Sequence, residues 1–268
     1  MTVADPRPRT LAPFGRRRAV VREAERLGAY VRLRVDDGEG PADPRPGQFY
    51  MLAAAERWGA GADERPFLPR ALSFARVTDG PALDFVLEAV GPGTERLAEL
   101  RPGEGLWLTG PLGAGFPPPE RGRPLLAGGG IGVAPLLCWQ DELGPQAVAL
   151  LGFRSAAHAE AARLFAGAVE VATDDGSAGH RGSVTDLLAA ELDRDGEATV
   201  YACGPPAMLE AVRALCADRG VPCWLALEAG MACGYGACFG CVVPTRDGYV
   251  RLCVDGPVLD GALLEEVA

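Results

Sequence analysis

The sequence predicts a chain of more than one domain: an antiparallel β-barrel, then a Rossmann-like α/β domain with a parallel sheet, then a small cysteine-rich piece. Three observations predict it. Short Val-, Leu- and aromatic-rich segments broken by Gly and Pro fill the first half, apolar runs alternate with helical stretches after Pro117-Pro118-Pro119, and four Cys crowd the last forty residues. A length of 268 residues suits two compact domains with an appendage.

Residues 1–14 carry three Pro without periodicity and read as a loosely ordered tail. Folded structure is expected from Arg16, and the first domain spans 15–118. Its segments are AYVRLRV, GQFYMLA, RALSFARV, LDFVLEAV and GEGLWLTGPLG, the texture of a barrel or sandwich, with one helical stretch around Thr94 to Leu100. From 119 to 225 the strands PLLAGG, AVALLGF, AVEVATD, ATVYACG and PCWLALE alternate with the helical VAPLLCWQDEL, AAHAEAARLF, VTDLLAAEL and PAMLEAVRALCADRG. Such alternation implies right-handed crossovers and a sheet covered on both faces. The stretch 226–268 has too little apolar length for its own core, so a covalent or metallic link is expected to hold it.

Composition excludes several functions. Apolar residues make up 48% and charged residues 23%, which supports real cores. A net charge of −10 works against binding a phosphate backbone, so nucleic acid is not an expected partner. All 26 basic residues are Arg, which reads as coding bias. Charge interrupts any apolar run near the first residues, so no export signal is expected. The longest uncharged run, Pro124 to Gln140, falls short of the roughly 20 residues of a spanning helix. A soluble, cytoplasmic protein without a membrane partner is expected, and its eight Cys are then thiols or metal ligands.

Chemistry concentrates in three places. Cys233, Cys238, Cys241 and Cys253 give C-x4-C-x2-C and a fourth Cys after eleven residues, and the first three match plant-type iron-sulfur spacing. Gly234, Gly236 and Gly240 between them suit a tightly turning loop that aims N–H groups at sulfur. A structural zinc site, which more often uses C-x2-C pairs, and buried Cys acting as small hydrophobes are the other readings. The run Gly128-Gly129-Gly130-Ile131-Gly132 follows a strand and opens a helix, where a pyrophosphate can approach backbone and helix N-terminus. Cys203-Gly204-Pro205 ends a later strand of the same sheet, beside the expected ligand crevice. In the barrel, Arg70-Ala71-Leu72-Ser73 and Gly91-Pro92-Gly93-Thr94 offer a guanidinium, a hydroxyl and a loop feeding a helix. Taken singly these barrel motifs are more often a solvated face and a hairpin.

In order along the chain, RALS, GPGT, GPLGAGF, GGGIGVAPL, CGP and CGYGACFGC…C resemble the ferredoxin-reductase superfamily. Within it the chain is most similar to electron-transfer subunits of class 1B dihydroorotate dehydrogenase, through LEAGMACGYGACFGC and CVDGPVLDG. The resemblance implies FAD in the barrel, NAD(H) on the parallel sheet and a 2Fe-2S cluster on Cys233, Cys238, Cys241 and Cys253. It implies that Arg70, Ala71, Leu72 and Ser73 bind flavin, with Arg70 on a phosphate and Ser73 near the ring. Val86, Leu87 and Glu88 line it, and Gly93 with Thr94 hold its diphosphate. The family usually has Pro at Ala71, often a basic residue at Glu88, and Asn at Ala114. It implies an FMN-containing catalytic partner that interconverts dihydroorotate and orotate for pyrimidine synthesis, in a heterotetramer of two copies each. No side chain need act as acid or base in hydride transfer, so no catalytic residue is expected, and Cys203 borders the hydride contact. Arg154 could meet a 2′-phosphate, but no basic cluster surrounds it, which favours NADH. TDDGSAGHRG (173–182) reads as part of the crevice, with His180 a loop residue. Alternatives are a ferredoxin:NADP oxidoreductase or sulfide dehydrogenase subunit and, from another class, a cluster-based redox sensor.

Overall fold

A computed structural model describes residues 15–41, 43–59, 66–78 and 80–264; the expected tail 1–14 lies outside them. Six strands close an antiparallel barrel: β1 (Arg17–Leu27), β2 (Tyr30–Asp36), β3 (Phe49–Ala54), β4 (Arg70–Val77), β5 (Ala82–Glu88) and β6 (Gly105–Leu112), in the order β1-β2-β5-β4-β3-β6. Alternation turns Leu33, Tyr50, Leu52, Phe74, Phe85 and Leu108 into the barrel interior. The segments expected as strands form five of these six. β1 was not among them because Arg and Glu fill its outer face. Ala19, Val21 and Leu27 point inward, while Arg22, Glu23 and Glu25 pair with Asp36, Arg34 and Arg32 of β2. Such exposed pairs contribute about 0–1 kcal/mol each, so the inward residues decide the strand's place.

The one helix among the described residues of this half, α1 (Pro92–Ala98), begins at the expected GPGT loop. A Pro at its first position costs no hydrogen bond there.

The second half is a seven-stranded sheet. Five parallel strands, β7 (Arg123–Gly129), β8 (Val148–Phe153), β9 (Ala168–Thr173), β11 (Ala198–Cys203) and β12 (Cys223–Ala226), match the expected runs, and the short β10 (His180–Arg181) adds one more. The helix α2 (Val133–Leu143) covers one face, and α4 (Val184–Arg194) with α5 (Pro206–Asp218) the other. The short α3 (Ala156–Ala159) follows β8. Residues Val133 to Gln140 are all buried, because α2 is wedged between the sheet and the barrel. Its Cys138 belongs to the barrel's cluster, and Arg76 of β4 grips Asp141 at 2.5 Å.

The C-terminal stretch departs from expectation. It does not depend on a metallic link alone: β15 (Val258–Asp260) joins the sheet antiparallel to β12, and Leu252, Leu259 and Leu264 enter the core under α4 and α5. Between them, β13 (Val242–Thr245) and β14 (Gly248–Arg251) make a separate hairpin. No helix among the described residues is long and apolar enough to cross a membrane.

Candidate redox site

The motifs picked out by sequence meet where the barrel faces the sheet. A cavity of about 190 Å³ is walled by Ala71, Leu72 and Ser73 of β4, Val86 of β5, the Ile131-Gly132 turn and Cys203. It adjoins a crevice of about 540 Å³ that includes Gly129, Gly130, Gly204 and Pro205, and both share Ile131, Gly132 and Glu228. Together they span the size range of cofactor sites.

The contact between the two sheet motifs explains why Gly stands at 132. A Cβ there would lie 2.4 Å from the carbonyl oxygen of Cys203 and 2.6 Å from the Gly204 nitrogen. Gly129 likewise faces the Met208 sulfur, 2.4 Å from where its Cβ would be. Gly130 has φ +55 and, with Ile131 and Gly132 on the crevice wall, turns the chain into α2. Gly128 lines neither space and packs under Val133, Leu136 and Leu151.

On the barrel side, the Arg70 guanidinium lies against Gly93, where a Cβ would come within 2.3 Å of its Nε. It donates to the Leu68 carbonyl at 2.5 Å and stacks over Trp58. A cation thus stands at the start of α1, which suits a phosphate. The Thr94 hydroxyl accepts from the Val90 and Gly91 N–H groups at 3.0 and 3.2 Å, so it shapes the loop. Leu87 is buried in the barrel interior, and Glu88 faces the crevice.

Sequence reasoning missed Phe49, Met231, Pro257 and Glu228 on the cavity wall. Glu228 and Met231, within LEAGMACG, and Pro257, within CVDGPVLDG, carried a signal; Phe49 carried none. Glu228 keeps solvent access at the cavity, and the protein packed beside it removes enough hydration to raise its carboxyl above the usual carboxylate range. Burial raises the Cys203 thiol well above its ordinary value, so it stays a neutral S–H. His180 is exposed and outside both spaces, whereas His158 lines the crevice.

The four C-terminal Cys come together in pairs. Cys233 lies within hydrogen-bonding reach of Cys238, and Cys241 of Cys253. Among the described residues, no three His, Cys, Asp or Glu gather as a group that could hold one ion. Two thiolates per iron is what a 2Fe-2S cluster takes, so this donor set suits it better than a single tetrahedral zinc. The loop also aims N–H groups at sulfur: Gly236 at Cys253 (3.1 Å), Cys253 at Cys241 (3.4 Å) and Gly240 at Cys238 (3.5 Å). Burial opposes ionisation of Cys233, but the N–H groups of Tyr235, Cys238 and Ala237 and the Cys238 thiol hold it at about 6. Burial and the Cys241 thiol push Cys253 up to about 12. Gly234 and Gly236, with φ +79 and +86, let the loop turn, and Gly234 seats it on Met51 and Leu112 of the barrel.

The chain is 36% identical over 244 residues to the dihydroorotate dehydrogenase B (NAD(+)), electron transfer subunit, of Clostridium acetobutylicum, covering 88% of this chain and 94% of that protein. It is 41% identical over 227 residues to the subunit of the same name from Bacillus caldolyticus, covering 80% and 84%. The chain belongs to this family. Residues 228–265 match the model of the iron-sulfur cluster binding domain of dihydroorotate dehydrogenase B, and 153–214 that of the oxidoreductase NAD-binding domain. Among solved structures, the NADH-dependent reduced ferredoxin-NADP oxidoreductase is similar at a TM-score of 0.77 and 25% identity, covering 92% of this chain and 89% of that one. The ferredoxin reductase of carbazole 1,9a-dioxygenase shares the fold at a TM-score of 0.64 and 23% identity, covering 77% and 66%. The match over 228–265 takes in all four Cys of the motif, the first of which follows Met231 of the cavity wall by two residues.

Proposed function

We propose that this chain is the electron transfer subunit of an NAD-dependent dihydroorotate dehydrogenase, relaying electrons between NAD(H), FAD, a 2Fe-2S cluster and an FMN-containing catalytic partner in pyrimidine synthesis. One observation carries the reading: a single cavity is walled by the barrel motif, the nucleotide-binding turn and the segment that runs into the Cys loop. Met231 on that wall and Cys233 in the loop are two residues apart, so their Cα atoms are at most about 7 Å apart.

A flavin takes two electrons as hydride and releases them singly, the conversion needed between a nicotinamide and an iron-sulfur cluster. The residues of this chain do the holding. Arg70 and the N–H groups at Gly93 and Thr94 bind the flavin diphosphate, and Ala71, Leu72, Ser73 and Val86 give its ring a mostly apolar bed. Gly129 to Gly132 and Gly204 admit the dinucleotide close to backbone, and Cys203 stands at the shared wall as an uncharged thiol. The division is 15–118 for flavin, 119–225 for NAD(H) and 226–268 for the cluster, the last borrowing the sheet edge through β15.

In the Cys loop, Tyr235 and Phe239 are exposed together with Cys238, and Tyr249 of the following hairpin is exposed by 79%. An aromatic surface over an exposed ligand fits docking by the catalytic subunit, which must approach the cluster closely. A heterotetramer of two copies of each chain in the cytoplasm follows from the same reading. Ferredoxin:NADP or sulfide dehydrogenase partners, and a sensor role, are less well supported, because the relatives are named as subunits of the dihydroorotate enzyme. Anaerobic addition of NADH is expected to bleach the yellow flavin, and addition of the catalytic partner to couple NAD+ reduction to orotate formation. Bleaching without orotate chemistry in the presence of that partner would contradict the named partner while leaving the relay standing.

A further inference from the structure

The crevice holds a polar cluster for which the relay above has no use. Glu88 ends β5 on the barrel side and Arg154 follows β8 on the sheet side. They meet across the crevice, Arg154 Nη2 donating to Glu88 Oε1 at 2.6 Å. His158 stands beside both, its Nε2 2.9 Å from Arg154 Nη2 and 3.5 Å from Glu88 Oε1, and Ser155 Oγ lies 3.0 Å from its Nδ1. Tyr30 packs edge-on against the His158 ring at 5.7 Å. Tyr30 is fully buried, and its hydroxyl has no hydrogen-bond partner. Tyr30, Glu88, Arg154 and His158 all line the crevice.

Charge on this wall is lopsided. Arg154 is the one permanently cationic side chain among the described residues that line the crevice, against the carboxylates Glu88, Asp174 and Glu228. A dinucleotide brings a diphosphate, which the fork of a guanidinium fits. The Arg154 side chain is 66% exposed, so its pairing with Glu88 is weak and easily exchanged. A carboxylate deprived of its cation still needs donors, and Tyr30, with its orphaned hydroxyl, is the register partner of Glu88 across β2 and β5.

We propose that Glu88 holds Arg154 in reserve at the crevice, and that an arriving dinucleotide diphosphate draws the guanidinium onto itself while Tyr30 and His158 take over the Glu88 carboxylate. Arg154 is then a substrate-binding residue, and Glu88 and Tyr30 are positioning residues acting through it. The proposal rests on the reading that this crevice takes NAD(H). It also gives the acidic residue at position 88, where the family often has a basic one, a task on the opposite side of the same charge balance.

The test is calorimetric titration of NAD+, which carries the same diphosphate but cannot reduce the flavin, into the anaerobically purified, flavin-loaded protein at low and moderate salt. R154Q is expected to weaken binding about tenfold, the size of a lost charge-assisted contact, and to flatten the salt dependence. E88Q is expected to tighten binding severalfold, because it breaks the same ion pair but frees the guanidinium. In the R154Q background the E88Q gain is expected to vanish, and Y30F to weaken binding only while Glu88 is present. A merely structural ion pair would move both single variants in the same direction. Equal weakening by E88Q and R154Q, or no change in either, would overturn the proposal. A wild type that fails to bind NAD+ at all would instead remove the crevice assignment beneath it.

Discussion

The cavity wall and the Cys loop stand side by side and are built on opposite principles. Ala71, Leu72 and Ser73 are fixed by a ladder to Met51, Tyr50 and Phe49 of β3, and Gly132 is locked against Cys203 by close packing. The wall therefore exists before any cofactor arrives. Residues 227–241 contain neither helix nor strand. Their turns rely on Gly234, Gly236 and Phe239 at positive φ and on N–H groups aimed at sulfur. The contrast teaches that flavin binding should outlast loss of the cluster, whereas the loop's order should not.

The largest effect should come from breaking a thiol pair. C238S or C241S is expected to abolish cluster iron and electron delivery to the partner while leaving flavin bound, read as iron and flavin content per chain. Loss of both together would mean that the two regions are not separable. Next, R70A removes the cation at Gly93 and should weaken flavin binding by about 1.5–3 kcal/mol, or roughly ten- to a hundredfold, in an equilibrium titration of apoprotein with FAD. Iron content in the same variant should stay normal. Third, G132A places a methyl group 2.4 Å from the Cys203 carbonyl, and should cost about 1–3 kcal/mol of stability and weaken NADH binding without affecting iron. Thermal melting and NADH titration would check it.

The smallest effect concerns Glu228 at the junction of the two regions. Its folded pKa is raised, so the ionised form is disfavoured in the native protein. Below about pH 4, where the carboxyl is protonated in both states, E228Q and wild type should melt alike. As pH rises above the unfolded value of about 4.3, the wild type should lose stability relative to E228Q, by a degree or a few. A difference that shrinks with rising pH would contradict the assigned environment.

Much of this arrangement was legible in the sequence, for local reasons. The helix VAPLLCWQDEL occupies the residues where the structure has α2, because a Gly-rich turn opens it and Gly144 closes it. The RALS and CGP motifs are short, and Ala71, Leu72, Ser73 and Cys203 fall on one cavity wall, while the Cys spacing lies on the loop that follows Met231 of that wall. What stayed hidden depends on distant pairing. β1 looks too charged for a strand until its inner face meets the barrel core, and the β15 edge exists only because β12 is there to accept it. Phe49 and Pro257 reach the cavity from opposite ends of the chain. The Glu88–Arg154 contact joins residues 66 positions apart in sequence, with no local pattern to announce it.

The central claim is that electrons entering from NADH pass from the cavity into the paired thiolates. The most direct measurement is electron paramagnetic resonance of the anaerobic protein after a substoichiometric dose of NADH, on wild type and C238S. The account predicts a reduced-cluster signal in the wild type and, in C238S, flavin bleaching with no cluster signal. Flavin bleaching in an iron-replete wild type whose cluster stays oxidised, even with NADH in excess, would contradict it.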